Sequence, residues 1–444
     1  MPLDPVRNAA IDVLLRVFDR GMHLDDALDI TLRRKTDLGD RGRRFLTQLV
    51  YGTVRHKLLC EHVLRPLLRQ PFEELPMPIR AILCMGVFQA LFCSQVTFPA
   101  MVHTAVELAK KRGHAGTARL VNAVLRRAPQ AFDALDLPAR DARPADHLSL
   151  RHSMPPWLVE RWIAEYGAAD AERLCVALNT PAPATIRVNT AKATRDQVAR
   201  YLLKAGFQVT HGTPVPEELT LPEIGALLRS KWFLRGYFMP QDPASMLAAH
   251  LVEPQPGERI LDMCAAPGGK TTHLAQLAGP TARIVAMDES PGRLQAVLEN
   301  AERLELPGIA PICGDGRRSP LRGPFDRVLV DAPCSGLGTL RRHPDLKWRV
   351  TPETIHRLAR TQRDLLRTAA ALCKNGGLVV YTVCTITPEE TWDVAKAVLA
   401  EGAVAAEDGP AWLEPWRVTT GQYRTLPQDA ALDGFFLMRF RKRS

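Results

Sequence analysis

Apolar positions recur with two different periods along this chain, and the change between them falls near residue 236. Before it, Ala10, Val13, Leu14 and Val17 form one stripe at helical spacing, and Val102, Ala105, Val106 and Ala109 form another. The first 130 or so residues are therefore predicted to be all-helical. After it, short apolar runs alternate with longer amphipathic ones. Strands are predicted at 259–263, 283–287, 309–313, 327–330 and 377–383, most of them separated by helices. That alternation predicts a doubly wound parallel sheet. The alternating run from Gly434 to Arg441 is expected to be a last, edge-inserted strand.

Residues 128–150 are rich in Pro and Asp, lack periodicity, and read as a linker. Residues 151–235 read as a small mixed segment, with a helix around 157–166, a strand at 185–188, a helix from about 194 to 204 and further short strands. The expected fold is multidomain: an all-α N-terminal domain (1–140), a small α+β linker domain (141–235) and a C-terminal α/β Rossmann-like domain (236–444).

Charge adds a partner to this picture. The 444 residues carry 58 Lys and Arg against 48 Asp and Glu, a net charge of +10. Within the first 130 residues the count is 20 against 12, so 8 of that surplus lie in the helical module. Arg33-Arg34-Lys35, Arg43-Arg44, Lys110-Lys111-Arg112 and Arg126-Arg127 are its runs. Such runs ordinarily form a solvated face, but their concentration in one domain points to an RNA-facing surface. There is no basic-then-apolar leader and no run near the ~18 apolar residues a membrane span requires. The expected setting is the cytoplasm, with no membrane partner. Nine Cys without a CxxC pair exclude a zinc ribbon and argue against a disulfide framework, so no metal is expected. Any chemically important Cys is then a nucleophile or an acid/base group.

The strand at 259–263 runs into Cys264-Ala265-Ala266-Pro267-Gly268-Gly269-Lys270, and Thr271 onward opens a helix. Adjacent glycines let the backbone approach a ligand, and a helix N-terminus offers unpaired amides. The following strand ends at Asp288, about 20 residues on, where a ribose-binding carboxylate is expected. Asp315 follows the third strand at the same edge. A P-loop is the nearest rival, since Gly269-Lys270-Thr271 mimics the end of its motif. Its first glycine would have to stand at position 264, which is Cys. Adenosine without a phosphate chain, as in S-adenosylmethionine, fits these residues best.

Two more strands end in cysteine-bearing turns, Asp331-Ala332-Pro333-Cys334-Ser335-Gly336 and Tyr381-Thr382-Val383-Cys384-Thr385. A strand-end Cys is ordinarily a small buried hydrophobe; two converging on one crevice are not. Cytosine C5 accepts a methyl group only after a nucleophile adds at C6, and a thiolate is suited to that addition. A second group near C5 then assists loss of its hydrogen, and an acidic group near N3 stabilises the adduct. Asp331, Cys334 and Cys384 supply this set. Thr387-Pro388-Glu389-Glu390 reads as a helix N-cap, a first-turn proline and a capping-box glutamate, placing Cys384 just ahead of a helix N-terminus.

Gln241-Asp-Pro-Ala-Ser245, Leu261 through Thr271, Asp331 through Gly336, Arg341-Arg-His-Pro-Asp-Leu-Lys-Trp348 and Cys384 resemble the RNA cytosine-5 methyltransferase family. The N-terminal module, with Val50-Tyr-Gly-Thr-Val-Arg55 and Val121-Asn-Ala-Val-Leu-Arg126, resembles the NusB-like RNA-binding fold. Together they are similar to the RsmB/Fmu group of bacterial small-subunit ribosomal RNA methyltransferases, over nearly the whole chain. The resemblance implies that Cys384 attacks C6 and Cys334 aids release of the methylated base. It implies that Cys264 through Lys270, Asp288, Asp315 and Asp331 contact S-adenosylmethionine, and that the substrate is small-subunit ribosomal RNA. No heptad or long exposed apolar stretch asks for a dimer, so a monomer is expected. Where the family has Thr before the nucleophile this chain has Val383, and Thr391 and Gln428 replace its Asn and His. An RNA-binding assembly factor with little methylation and a transfer-RNA methyltransferase are the alternatives.

Overall fold

Helical periodicity before residue 130 is realised as helices in the computed structural model, which describes residues 3–429 and 432–444. Contacts divide the chain into two units, Met1–Thr180 with Arg342–Arg349, and Pro181–Arg341 with Val350–Ser444. Among the described residues the first unit carries ten α-helices. Its first, Pro5–Phe18, begins where Asp4 accepts the Arg7 backbone N–H at 2.9 Å and Pro5 fills the first turn, where no amide partner is needed. The helix Met77–Phe92 is apolar on every side, the pattern of a helix surrounded by core. Ile82 and Met85 on it are fully buried with Leu14, Leu46, Leu49 and Leu125. Gly52 permits a close approach: a Cβ there would lie 1.9 Å from the Phe88 ring.

The segment expected to be a linker is only partly one. The helix Ala115–Asp133 runs into it, and Pro144–His152 is a second helix with Leu148 buried. Pro144 reads as a breaker in the sequence but stands in the first turn, where proline starts helices. Residues 342–349 also belong to this unit. Lys347, 1% exposed, donates from Nζ to Arg55 O at 2.7 Å and to Asn179 Oδ1 at 3.3 Å. Trp348 Nε1 donates to Val54 O at 2.8 Å. With neutral acceptors only, burial pulls the Lys347 pKa well below the usual lysine range, and Arg55 adds repulsion.

The second unit holds two sheets. The smaller is antiparallel in the order β2-β1-β3, from β1 (Ala184–Val188), β2 (Glu218–Leu221) and β3 (Phe238–Pro240). Thr194 and Gln197 form a capping box that starts its helix, Arg195–Lys204. The larger sheet contains β4 (Arg259–Asp262), β5 (Arg283–Asp288), β6 (Ile309–Cys313), β7 (Phe325–Asp331), β8 (Cys373–Val383), β9 (Val404–Ala406), β10 (Arg417–Thr419), β11 (Gln422–Thr425) and β12 (Phe435–Lys442). Its order is β10-β11-β12-β8-β7-β4-β5-β6, with β9 paired to β12. The five expected strands, β4 to β8, run parallel, and the strand order reverses between β4 and β7, where ligands bind in such sheets.

The C-terminal strand is not at the edge. β12 pairs antiparallel with β8 on one side and with β11 on the other. Its first six residues are all buried, the signature of a strand covered on both faces. The short, partly polar strands β10 and β11 that shield it carry too little apolar alternation to be read from sequence.

Candidate active site

The turn after β4 is built around one obligatory glycine. Gly268 has φ +101°, and a Cβ there would sit 3.0 Å from Val297 Cα, so both backbone and space require glycine. Gly268 N donates to Ala265 O at 2.8 Å, and Ala265 N to Met287 O at 2.9 Å, which ties the turn to β5. Outer residues hold its carbonyls: Arg293 Nη2 donates to Ala266 O (2.9 Å), Asn300 Nδ2 to Pro267 O (3.1 Å) and Arg187 Nη1 to Gly269 O (2.6 Å). Asp288, buried at the end of β5, accepts Ala266 N at 3.2 Å on one oxygen and Ser290 N at 3.1 Å on the other. It braces the turn while each oxygen retains a further acceptor direction.

Asp315 is met differently. The Arg317 backbone N–H, Nε and Nη2 all donate to its carboxylate at 2.9–3.1 Å, and this holds its pKa below the usual carboxylate range. Asp262, which the sequence reading did not single out, accepts the Thr271 hydroxyl on Oδ2 at 2.7 Å, while its buried Oδ1 has no hydrogen-bond partner. Burial pushes its pKa up to about 7. Burial also raises the Cys264 thiol well above its ordinary pKa, and the charges of Asp262, Asp331, Asp288 and Glu289 add to that. Cys264 therefore remains a thiol, surrounded by carboxylates.

Lys270 and Asp331 form an ion pair, with Nζ 2.8 Å from Oδ2. Burial disfavours the ammonium, but the pairing outweighs it and the Lys270 pKa stands above its usual value. Cys384 in its thiolate form acts on Lys270 in the same direction.

The two strand-end cysteines meet. Cys334 Sγ and Cys384 Sγ are 3.3 Å apart. The cause is strand register: β7 and β8 are parallel neighbours with Asp331 opposite Thr382, so the turns that follow emerge side by side. The hydrogen bond to Cys384, then burial, raises the Cys334 pKa well above the usual thiol range.

Glu390 corrects one expectation. Pro388–Glu390 is a short 3-10 turn without a side-chain cap, and the helix Trp392–Ala400 begins only after it. Glu390 is fully buried instead and joins the two cysteine turns. It accepts Ser335 N at 2.8 Å, the Ser335 hydroxyl, Thr387 Oγ1 at 2.9 Å and Gln362 Nε2 at 3.1 Å. The Ser335 and Thr385 hydroxyls also bond at 2.8 Å. The available signal was polar Thr385, Thr387 and Glu390 directly behind a strand-end Cys. Val383 has no exposed surface and packs in the apolar core with Val330, Val379 and Phe436.

The family described as 16S rRNA methyltransferase RsmB/F matches residues 249–441, the NusB family matches 4–130, and the RsmF/B-like ferredoxin-like domain matches 154–226. The probable ribosomal RNA small subunit methyltransferase B of Synechocystis sp. is 35% identical, over 98% of this chain and 99% of its own. The crystal structure of PH0851 is 26% identical and superposes over 99% of this chain and 100% of its own with a TM-score of 0.83. NSun6 from Pyrococcus horikoshii, solved with SFG, is 25% identical, covering 65% of this chain and 98% of its own with a TM-score of 0.60. Among the described residues no helix is long and apolar enough to cross a membrane. Matched along its length by relatives of one kind, and by their three domain models in order, the chain belongs to the RsmB/F family of 16S rRNA methyltransferases.

Proposed function

We propose that the protein transfers a methyl group from S-adenosylmethionine to C5 of a cytosine in small-subunit ribosomal RNA, through a covalent bond between Cys384 and C6. The observation that carries this reading is the 3.3 Å approach of the Cys334 and Cys384 sulfurs at the ends of neighbouring parallel strands. Cys384, as thiolate, adds to C6 and makes C5 nucleophilic. Asp331 is assigned to the N3 side of the ring, with the Lys270 ammonium balancing the electron density that the attack pushes onto it. Cys334 keeps its proton while Cys384 is charged, because it bonds to and is repelled by that thiolate. Once Cys384 is bound to C6 both influences end; Cys334 then gives its proton to water and, as thiolate, takes the C5 hydrogen as a proton, while the C5–H electron pair forms the C5–C6 double bond and the C6–S bond breaks to release Cys384 as thiolate.

When bound, S-adenosylmethionine supplies an electrophilic methyl group on a sulfonium cation. Cys264, Ala265, Ala266, Pro267, Gly268, Gly269 and Lys270, with Asp288, Asp315 and Asp331, are the residues that would hold it. Support comes from the charge around this turn: Asp262, Asp288 and Asp331 all act on Cys264, an environment that suits a cation and repels a polyphosphate. Lys270, committed to Asp331, is likewise not waiting for phosphate. SFG, present in the Pyrococcus NSun6 structure, is an analogue of S-adenosylmethionine. RNA affinity is assigned to the basic runs of the NusB-like region.

The test is methyl transfer from labelled S-adenosylmethionine to protein-free small-subunit ribosomal RNA, followed by digestion to nucleosides. Label is expected in 5-methylcytidine and is expected to vanish with Cys384→Ala. Label on transfer RNA alone would retain the chemistry and remove the ribosomal substrate. No label on that RNA or on assembled subunits, despite RNA binding, would leave an assembly factor.

A further inference from the structure

Away from the cysteine pair, Glu217, His250 and His273 converge on one point. Glu217 directly precedes β2, His250 lies in the last turn of the helix Pro243–Val252, and His273 lies in the helix Gly269–Ala278 that opens at the glycine turn. One ligand atom from each lies within 4.8 Å of the others. The side chains of His273 and Glu217 are 0% and 3% exposed, and that of His250 is 14% exposed. None of them has a part in the cytosine chemistry.

Hydrogen bonding within the cluster is incomplete. His250 Nε2 meets Glu217 Oε1 at 2.8 Å. His273 Nε2 is paired with the same oxygen, while Nδ1 of this fully buried ring has no hydrogen-bond partner. Burying a polar group without a partner costs about 1–3 kcal/mol, and native cores rarely do so. A buried carboxylate also calls for a cation. Arg187, which acts on Glu217 electrostatically, spends its hydrogen bonds on Gln241, Gly269 O, Thr272 Oγ1 and Met239 Sδ.

Two imidazole nitrogens and one carboxylate oxygen are the donor set of zinc-class divalent ions. His250 is also oriented from outside the cluster, standing edge-on to Trp412 at 4.9 Å between centroids. We propose that Glu217, His250 and His273 bind one divalent transition-metal ion, zinc by its donor chemistry, that pins the small sheet to the two helices beside the glycine turn. The ligands are 23 to 56 positions apart in the chain, so no spacing motif announces them. Water supplies the fourth ligand, and the site is independent of methyl transfer.

The full-length protein, purified without chelator and dialysed into zinc-free buffer, is expected to retain about one equivalent of zinc by elemental analysis. The Cys334→Ser/Cys384→Ser variant is expected to keep that zinc, whereas His250→Gln and Glu217→Gln lose it and zinc no longer raises their melting temperature. Cobalt replacing zinc in the wild-type chain should give the visible absorption of a four-coordinate ion without a thiolate-to-cobalt band. That spectrum decides the matter even where a glutamine variant fails to fold. Zinc far below one equivalent, equal zinc in folded His250→Gln, or a thiolate band would each overturn the proposal. The first would leave a triad held by hydrogen bonds alone.

Discussion

Lys270 in the second unit and Lys347 in the helical unit both carry their amino groups inside the protein. Lys270 has a carboxylate 2.8 Å away and its pKa stands above the usual value. Lys347 has a backbone carbonyl, a side-chain amide and Arg55 for neighbours, and its pKa is driven far down. Similar burial thus accompanies pKa shifts in opposite directions, and the partner decides which. In the helical unit the amine donates to Arg55 O and Asn179 while burial works against its charge. In the second unit a permanent cation is retained next to a strand-end carboxylate and a reactive thiol, where electron density must be stabilised as it moves.

The comparison breaks most sharply at Lys270. Lys270→Met leaves Asp331 without its cation and is expected to lower kcat roughly 10²–10³-fold, the loss usual for one electrostatic donor at a reacting centre. Lys270→Arg should recover part of it. Single-turnover methyl transfer measures both, and unchanged rates would make the pair structural. Glu390→Gln comes next. It weakens the charge-assisted bonds that hold the turns of Cys334 and Cys384 together, and a loss of about 1.5–3 kcal/mol reads as a roughly tenfold to hundredfold slower kcat. KM for RNA should be unchanged, because Glu390 acts through the two turns and not on the substrate. A rise in KM alone would contradict this positioning role.

At Lys347 the effect moves from rate to stability. Lys347→Met removes the donor to Arg55 O and Asn179 and is expected to cost about 1–3 kcal/mol in urea unfolding, with the methyl-transfer rate of the folded protein retained. Asn179→Asp sharpens the contrast by giving Lys347 the kind of partner Lys270 already has. It should raise the Lys347 pKa, as read from the pH dependence of unfolding.

The remaining expected effect is in acid and is gradual with pH. His56, beside Lys347 and Arg55, is pushed down to about 3 from 6.5, mainly by burial and further by those cations. The unfolded chain therefore binds a proton before the folded one does. Stability from His56 is complete above pH 6.5 and is lost as pH falls toward 3, with a slope of up to about 1.4 kcal/mol per pH unit. His56→Phe should flatten that slope, and an unchanged slope would place the acid sensitivity elsewhere.

What the sequence revealed follows the range of the interactions involved. The glycine turn, Asp288 and the parallel strands were legible because each depends on neighbours in the chain: an apolar run, a glycine with positive φ, a carboxylate closing a strand. Cys334 and Cys384 were legible as strand ends, and parallel register then brought them together. Glu390 was mistaken for a local cap because its partner Ser335 lies 55 positions away. Residues 342–349 carry no sign that they pack with Val54, Arg55 and Asn179. The inner position of β12 depended on β10 and β11, short strands whose identity comes from pairing and not from pattern. Asp262 and the Glu217–His250–His273 cluster could not be weighed at all without burial.

The central claim is that Cys384 bonds to the base and Cys334 releases it, and trapping that bond tests it directly. Cys334→Ala protein would be incubated with small-subunit ribosomal RNA and S-adenosylmethionine, denatured, and the slow-migrating protein–RNA band digested and sequenced. The mechanism predicts RNA attached at Cys384, and no band from Cys384→Ala or from the double variant. Attachment at another residue, or equal band-free inactivity of both single variants, would contradict it.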